Sequence, residues 1–223
     1  MHRQTQKVTA ATAEIGNVTV NCCYDGANVT QFLEEGGVAP LIILLRSRDT
    51  AVQASILGAL QGVCYVSWGR HAIMSDPSTI MIIGRFLLAD DEFVRTRAIG
   101  VIHNLSADIS AIPIIRDSMC ISPIISLLSD PLSEVVQAAA GALQNISRED
   151  SSRIFMLDQG AVPKLLNILF GSNTQSQICA VGALLNLLGP QLGDRETAAL
   201  CQLLSDGIVL GSMQSAIFGD EDN

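Results

Sequence analysis

Apolar residues in this chain fall at helical spacing, and the spacing itself repeats. The strings "AEIGNV", "GALQGV", "GVIHNL", "GALQNI" and "GALLNL" begin at Ala13, Gly58, Gly100, Gly141 and Gly182. Their starts lie 45, 42, 41 and 41 residues apart. Taking the asparagine of each string as reference, Ile15, Leu60, Ile102, Leu143 and Leu184 stand two residues before it. Val18, Val63, Leu105, Ile146 and Leu187 follow it, and Thr12, Leu57, Ile99, Ala140 and Val181 precede it by five. Steps of three and four place these three columns on one helical face, the predicted core. A second pattern precedes each string at a fixed distance: "GGVAPLIILLRSRDTAVQAS", "CISPIISLLSDPLSEVVQAA" and "GAVPKLLNILFGSNTQSQIC" align, and "DPSTIMIIGRFLLADDEFVRTR" is a divergent copy.

Each unit therefore reads as a short helix, a second helix such as "VAPLIILLRS", a turn and a longer third helix. "RSRD", "ADD", "SDP" and "GSN" punctuate the turns. A period of about 42 residues, helical throughout, predicts an all-α solenoid of stacked units.

These motifs resemble the armadillo repeat family. The likeness lies in G-x-[VAI]-x-x-L-[LI]-x-L-L followed by x-x-A-x-G-A-L-x-N-[LI], and runs from about residue 8 to residue 205. HEAT repeats are the nearest alternative, but the G-A-L-x-N string and the glycine opening several units favour armadillo. The resemblance implies a right-handed superhelix of about five repeats, the first incomplete. The expected divisions are 1–35 (partial), 36–76, 77–118, 119–158 and 159–200 in a domain of 1–205. Residues 206–223 are expected to give a cap helix and a short acidic tail. The start of the chain reads as an uncapped edge, open to a second partner or to self-association.

Glycine inside a helix costs about 1 kcal/mol relative to alanine. Its return at Gly58, Gly100, Gly141 and Gly182 predicts a compensating close approach between stacked third helices. Asn17, Asn104, Asn145 and Asn186 would form a ladder along one surface, interrupted by Gly62. In the family that surface is the concave groove, and the resemblance implies that such asparagines hold the backbone of an extended peptide. An amide both donates and accepts, which suits a peptide unit. Tethering of one helix to its neighbour is the competing reading, and no special role is the third. Arg97, His103, Asn104, Asn145 and Arg148 make one polar patch in mid-groove, with Asp108 and Glu149 beside it as partial neutralisers.

Import receptors of the family carry tryptophan where these glycines stand, so recognition of import signals is not expected. The catenin-like groove is basic, whereas the groove positions here are mostly neutral.

Composition narrows the rest. Of 223 residues, 48 % are hydrophobic and only 4 % aromatic, so the core is aliphatic and helices pack closely. Net charge is −9, and Lys7 and Lys164 are the only lysines, which argues against nucleic acid and anionic membranes as partners. No stretch has the roughly 18 apolar residues of a membrane span, and the start lacks a secretory signal's apolar core. A cytoplasmic protein is expected, with cytoskeletal, ciliary or nuclear placement open.

The six cysteines lie at no metal-binding spacing and read as buried small hydrophobes. Sequons at Asn17, Asn28, Asn104 and Asn145 read as accidents of composition, since three fall in predicted helices. The pairs Glu34–Glu35 and Asp90–Asp91 fall at helix ends, where they suit the dipole. No nucleophile motif, phosphate loop, metal site or cofactor site is present, so no catalysis is expected.

The function predicted is a non-catalytic adaptor or scaffold that binds a protein or extended peptide in the groove. The alternatives are a permanent part of a ciliary, cytoskeletal or junctional assembly, or the substrate-binding part of a larger ubiquitin-ligase-type protein.

Overall fold

The computed structural model describes residues 26–187, and no strand occurs among them. Four helix triplets follow one another. The first is α1 (Gly26–Glu34), α2 (Val38–Leu44) and α3 (Thr50–Val63). The second is α4 (Ser67–Met74), α5 (Pro77–Gly84) with a 3-10 turn (Arg85–Leu88), and α6 (Glu92–Ser106). The third is α7 (Ala111–Asp117), α8 (Ile121–Leu127) and α9 (Ser133–Ile146). The fourth is α10 (Asp150–Asp158), α11 (Ala161–Leu169) and α12 (Thr174–Leu187). Asn17, the expected N-terminal edge and the expected cap lie outside the described residues.

The third helices stack in a row, α3 on α6, α6 on α9 and α9 on α12, while each second helix packs on its own third helix. This row positions every candidate site residue that is described. Asp49 and Asp91 start α3 and α6 by accepting from two backbone N–H groups each, and Asn173 caps α12 through Ser176 N at 2.8 Å. A lost cap of this kind costs about 1 kcal/mol. Asp91 thus suits its helix dipole as expected. Glu34 and Glu35 do not, because they stand at the C-terminal end of α1, where the dipole is negative.

The predicted core columns are buried: Leu60, Ile102, Leu143 and Leu184, with Val63, Leu105, Ile146 and Leu187. In the column five before the asparagine, Leu57, Ile99 and Ala140 are buried but Val181 is exposed. That column lies on the side covered by the next third helix, and no described helix follows α12. Ile178 and Leu185 are exposed on the same side.

Another column, ten residues before the asparagine, holds Val52, Val94 and Val135, all buried, and then Ser176. Cys64, Cys120 and Cys179 are buried free thiols. Burial pushes the Cys120 thiol up to about 12 and raises Cys64 further. Cys22, Cys23 and Cys201 lie outside the described residues. No described helix is long and apolar enough to cross a membrane.

Candidate functional site: the ladder along the third helices

The glycines receive side chains from the preceding helix. A methyl group at Gly100 would lie 2.5 Å from Gln61 Nε2, and one at Gly141 would lie 2.6 Å from His103 Nε2. Gly182 receives Gln144 in the same way. Close approach is therefore between a side chain and a backbone, and the residue just before each asparagine supplies it: Gln61, His103 and Gln144.

The asparagines reach back across the same junctions. Asn104 Nδ2 donates to Gln61 O at 3.1 Å. Asn145 Nδ2 donates to Ser106 Oγ at 3.1 Å. Asn186 Nδ2 donates to Ser147 Oγ at 2.9 Å and to Gln144 O at 3.3 Å. Ser106 and Ser147 are fully buried, and each donates to a carbonyl of its own helix, His103 O at 2.7 Å and Gln144 O at 2.8 Å. Buried polar groups are satisfied in this way because an orphan would cost about 1–3 kcal/mol.

At Asn104 and Asn145 the sequon pattern has a structural reason. Asn104-Leu105-Ser106 and Asn145-Ile146-Ser147 stand 41 residues apart and form a tether. Serine is at its receiving end, and the next unit's asparagine is the donor. Cys64 holds the serine position in the first described unit, so Asn104 bonds the helix backbone directly.

The predicted polar patch divides between two junctions. Arg97 is exposed and reaches Gln61 Oε1 at 3.2 Å, joining Asn104 on the first junction. Arg148 belongs to the second: its Nη2 donates to Ser106 O at 2.8 Å and Ala107 O at 3.2 Å. It thereby covers the C-terminal carbonyls of α6, where a cation is favoured. Arg70 and Arg153 do the same for α3 and α9, donating to Cys64 O at 2.9 Å and Ser147 O at 3.2 Å.

Burial holds His103 below the ordinary histidine value, so it stands as a neutral ring on Gly141. Asp108 and Glu149 do not neutralise the patch. Asp108 bonds Ser110 and faces His71 at 3.7 Å, and Glu149 pairs with Arg116 at 2.5 Å and with Ser152. The Ser110 hydroxyl is the main reason that the Asp108 carboxyl titrates low.

A model of the armadillo/beta-catenin-like repeat matches residues 110–148, which contain α7, α8 and α9. Residues 110–148 thus match one armadillo repeat. The chain is 24 % identical over 159 residues to the armadillo repeat-containing protein gudu of Drosophila melanogaster, over 68 % of this chain and 23 % of that protein. Catenin beta of Urechis caupo is 26 % identical over 138 residues, 61 % of this chain and 17 % of its own length. The chain thus spans less than a quarter of the length of these relatives. A designed armadillo repeat protein solved in complex with the peptide (KR)4 superposes with a TM-score of 0.73 at 18 % identity, covering 100 % of this chain and 88 % of that one. The likeness at that identity is one of fold.

Proposed function

We propose that this chain is a non-catalytic protein-binding module that lays an extended segment of a partner along its row of third helices. One observation carries the reading. The Nδ2 atoms of Asn104, Asn145 and Asn186 are all committed to the preceding helix, which fixes the orientation of each amide. Among the described residues, the Oδ1 atoms of Asn104 and Asn145 accept no hydrogen bond. Each is a fixed acceptor for a peptide N–H, and acceptors held in place before binding lose little entropy on complex formation. The two earlier readings of the asparagine thus combine, the nitrogen tethering and the oxygen facing the partner.

The exposed Arg97 and the small Ala138, one repeat apart in the same column, would flank the track. The designed relative bound to (KR)4 supports the reading by likeness of fold. A cytoplasmic adaptor or scaffold role is the form of this function that the sequence favours.

The test is selection of displayed peptides against the full chain, followed by binding to Ala138→Trp and Arg97→Glu. Neither substitution removes an asparagine tether, although Arg97→Glu also loses the bond to Gln61 Oε1. The expected result is that selected peptides lose binding to Ala138→Trp while its circular dichroism is unchanged. Equal binding to wild type and Ala138→Trp would remove the third-helix row as the site.

A further inference from the structure

The geometry points to a second binding site, at the turn edge between the third and fourth triplets, that takes an arginine side chain of a partner protein. It lies apart from the asparagine ladder and does not rest on the reading above.

The argument begins with a side chain that fills the corresponding space one repeat earlier. Arg95, nine residues before Asn104, reaches across the junction. Its Nε donates to Asp130 Oδ2 at 2.6 Å, and its Nη1 donates to the carbonyls of Ala89 at 2.7 Å and Asp90 at 3.3 Å. The same column holds Gln53 and Gln177, which also reach turn carbonyls, Ser47 O at 2.7 Å and Gly171 O at 2.7 Å. In the third unit the column holds Val136, which has no donor. The carbonyls of Asp130 and Pro131, counterparts of Ala89 and Asp90, are left without that arginine.

What remains there is a cavity of about 280 Å³ between the α8–α9 turn and the α11–α12 turn. Val136, Leu128 and Ile168 give it apolar walls, and Asp130 lines it with a carboxylate already held by Arg95 Nε and Leu132 N. Ser176 lines it too, only 2 % exposed, and its hydroxyl has no partner among the described residues. Valine holds this position in the other three units, so the polar group is peculiar to this junction.

The wall thus offers the carbonyls of Asp130 and Pro131 and the hydroxyl of Ser176 as acceptors, with no basic residue among those lining it. Apolar walls suit a methylene stem. A planar fork of five N–H donors matches divergent acceptors, as a lysine's compact ammonium does not. Arg95 shows that this framework accepts a guanidinium.

The test is titration of the ¹⁵N-labelled full chain with N-acetyl-arginine-methylamide, whose blocked ends leave the side chain to report. Saturable shifts are expected at the amides around Ser133 and Ser172–Gln177. The citrulline and lysine analogues are expected to bind at least about tenfold more weakly, since a charged planar donor is what the site selects. Val136→Arg fills the cavity with the chain's own guanidinium and is expected to abolish the shifts. Ser176→Val removes the unpartnered hydroxyl and is expected to weaken binding several-fold.

The proposal is overturned by the absence of saturable shifts up to about 50 mM, beyond the range of a usable subsite. It is equally overturned by citrulline binding as well as arginine, or by a folded Val136→Arg that still responds. If Val136→Arg fails to fold, unchanged affinity in Ser176→Val overturns it.

Discussion

The second and third triplets meet differently from the third and fourth, though both junctions stack the same kinds of helix. At the first, Arg95 closes the turn edge on Asp130, with 14 % and 6 % of their side chains exposed. Arg148 covers the end of α6, whereas the Arg116–Glu149 pair lies between the third and fourth triplets. At the second, valine replaces the bridging arginine, serine replaces a core valine, and a cavity stays open. The apolar spine is common to both, so the contrast is confined to a few polar positions. A solenoid can hold one junction shut and leave its neighbour open without altering the stack, because each unit contacts mainly its neighbours.

The largest expected effect comes from breaking the closed junction. Arg95→Ala leaves Asp130 buried and unpaired, and removing one member of a buried pair costs about 3–5 kcal/mol. Urea denaturation should show that loss, whereas Val136→Ala at the open junction should cost far less.

Next come the ladder glycines. Gly141→Ala drives a methyl into the half-buried His103 ring, and overpacking of this kind costs about 1–3 kcal/mol. Gly100→Ala meets only the flexible end of Gln61, so a gain in helix propensity of up to about 1 kcal/mol offsets the contact. Thermal melts of the two variants should therefore move apart. Equal shifts would show that the seated side chain is not what requires glycine.

Ser176→Val restores the valine of the other units and removes an orphan hydroxyl. It should raise stability by about 1 kcal/mol, or about 2–4 °C for a chain of this size.

The smallest effect concerns pH. Burial lowers the His103 pKa. Below the ordinary histidine value the unfolded chain binds a proton that the folded one refuses, so stability falls as pH drops through that range. His103→Gln, which copies Gln61 and Gln144, should flatten the dependence between about pH 7 and pH 5. An unchanged slope would assign it to other groups.

Much of this was legible in the sequence. The period, the all-α class and the columns of Leu60 and Val63 follow from spacing alone. The glycine and asparagine columns were visible, but the partners were not. Gln61 and Gln144 stand beside their asparagine positions with no local sign of a role, and His103 reads only as part of a polar patch, although glycine recurring across a junction is the signal that something sits on it. Ser106 and Ser147 were hidden inside a sequon pattern whose 41-residue recurrence was the available clue. Arg148 read as a free cation because nothing local shows a side chain reaching the end of the preceding third helix.

The sequence by itself determined which residues are helical, which face is apolar and how often the unit repeats, since these depend on neighbours three or four positions away. Only the tertiary structure decided where the asparagine nitrogens point, which arginines are spent on helix ends, and that Val136 and Ser176 together leave a cavity. Those outcomes are set by groups some 40 residues apart in the chain, whose meeting depends on how one unit is seated on the next.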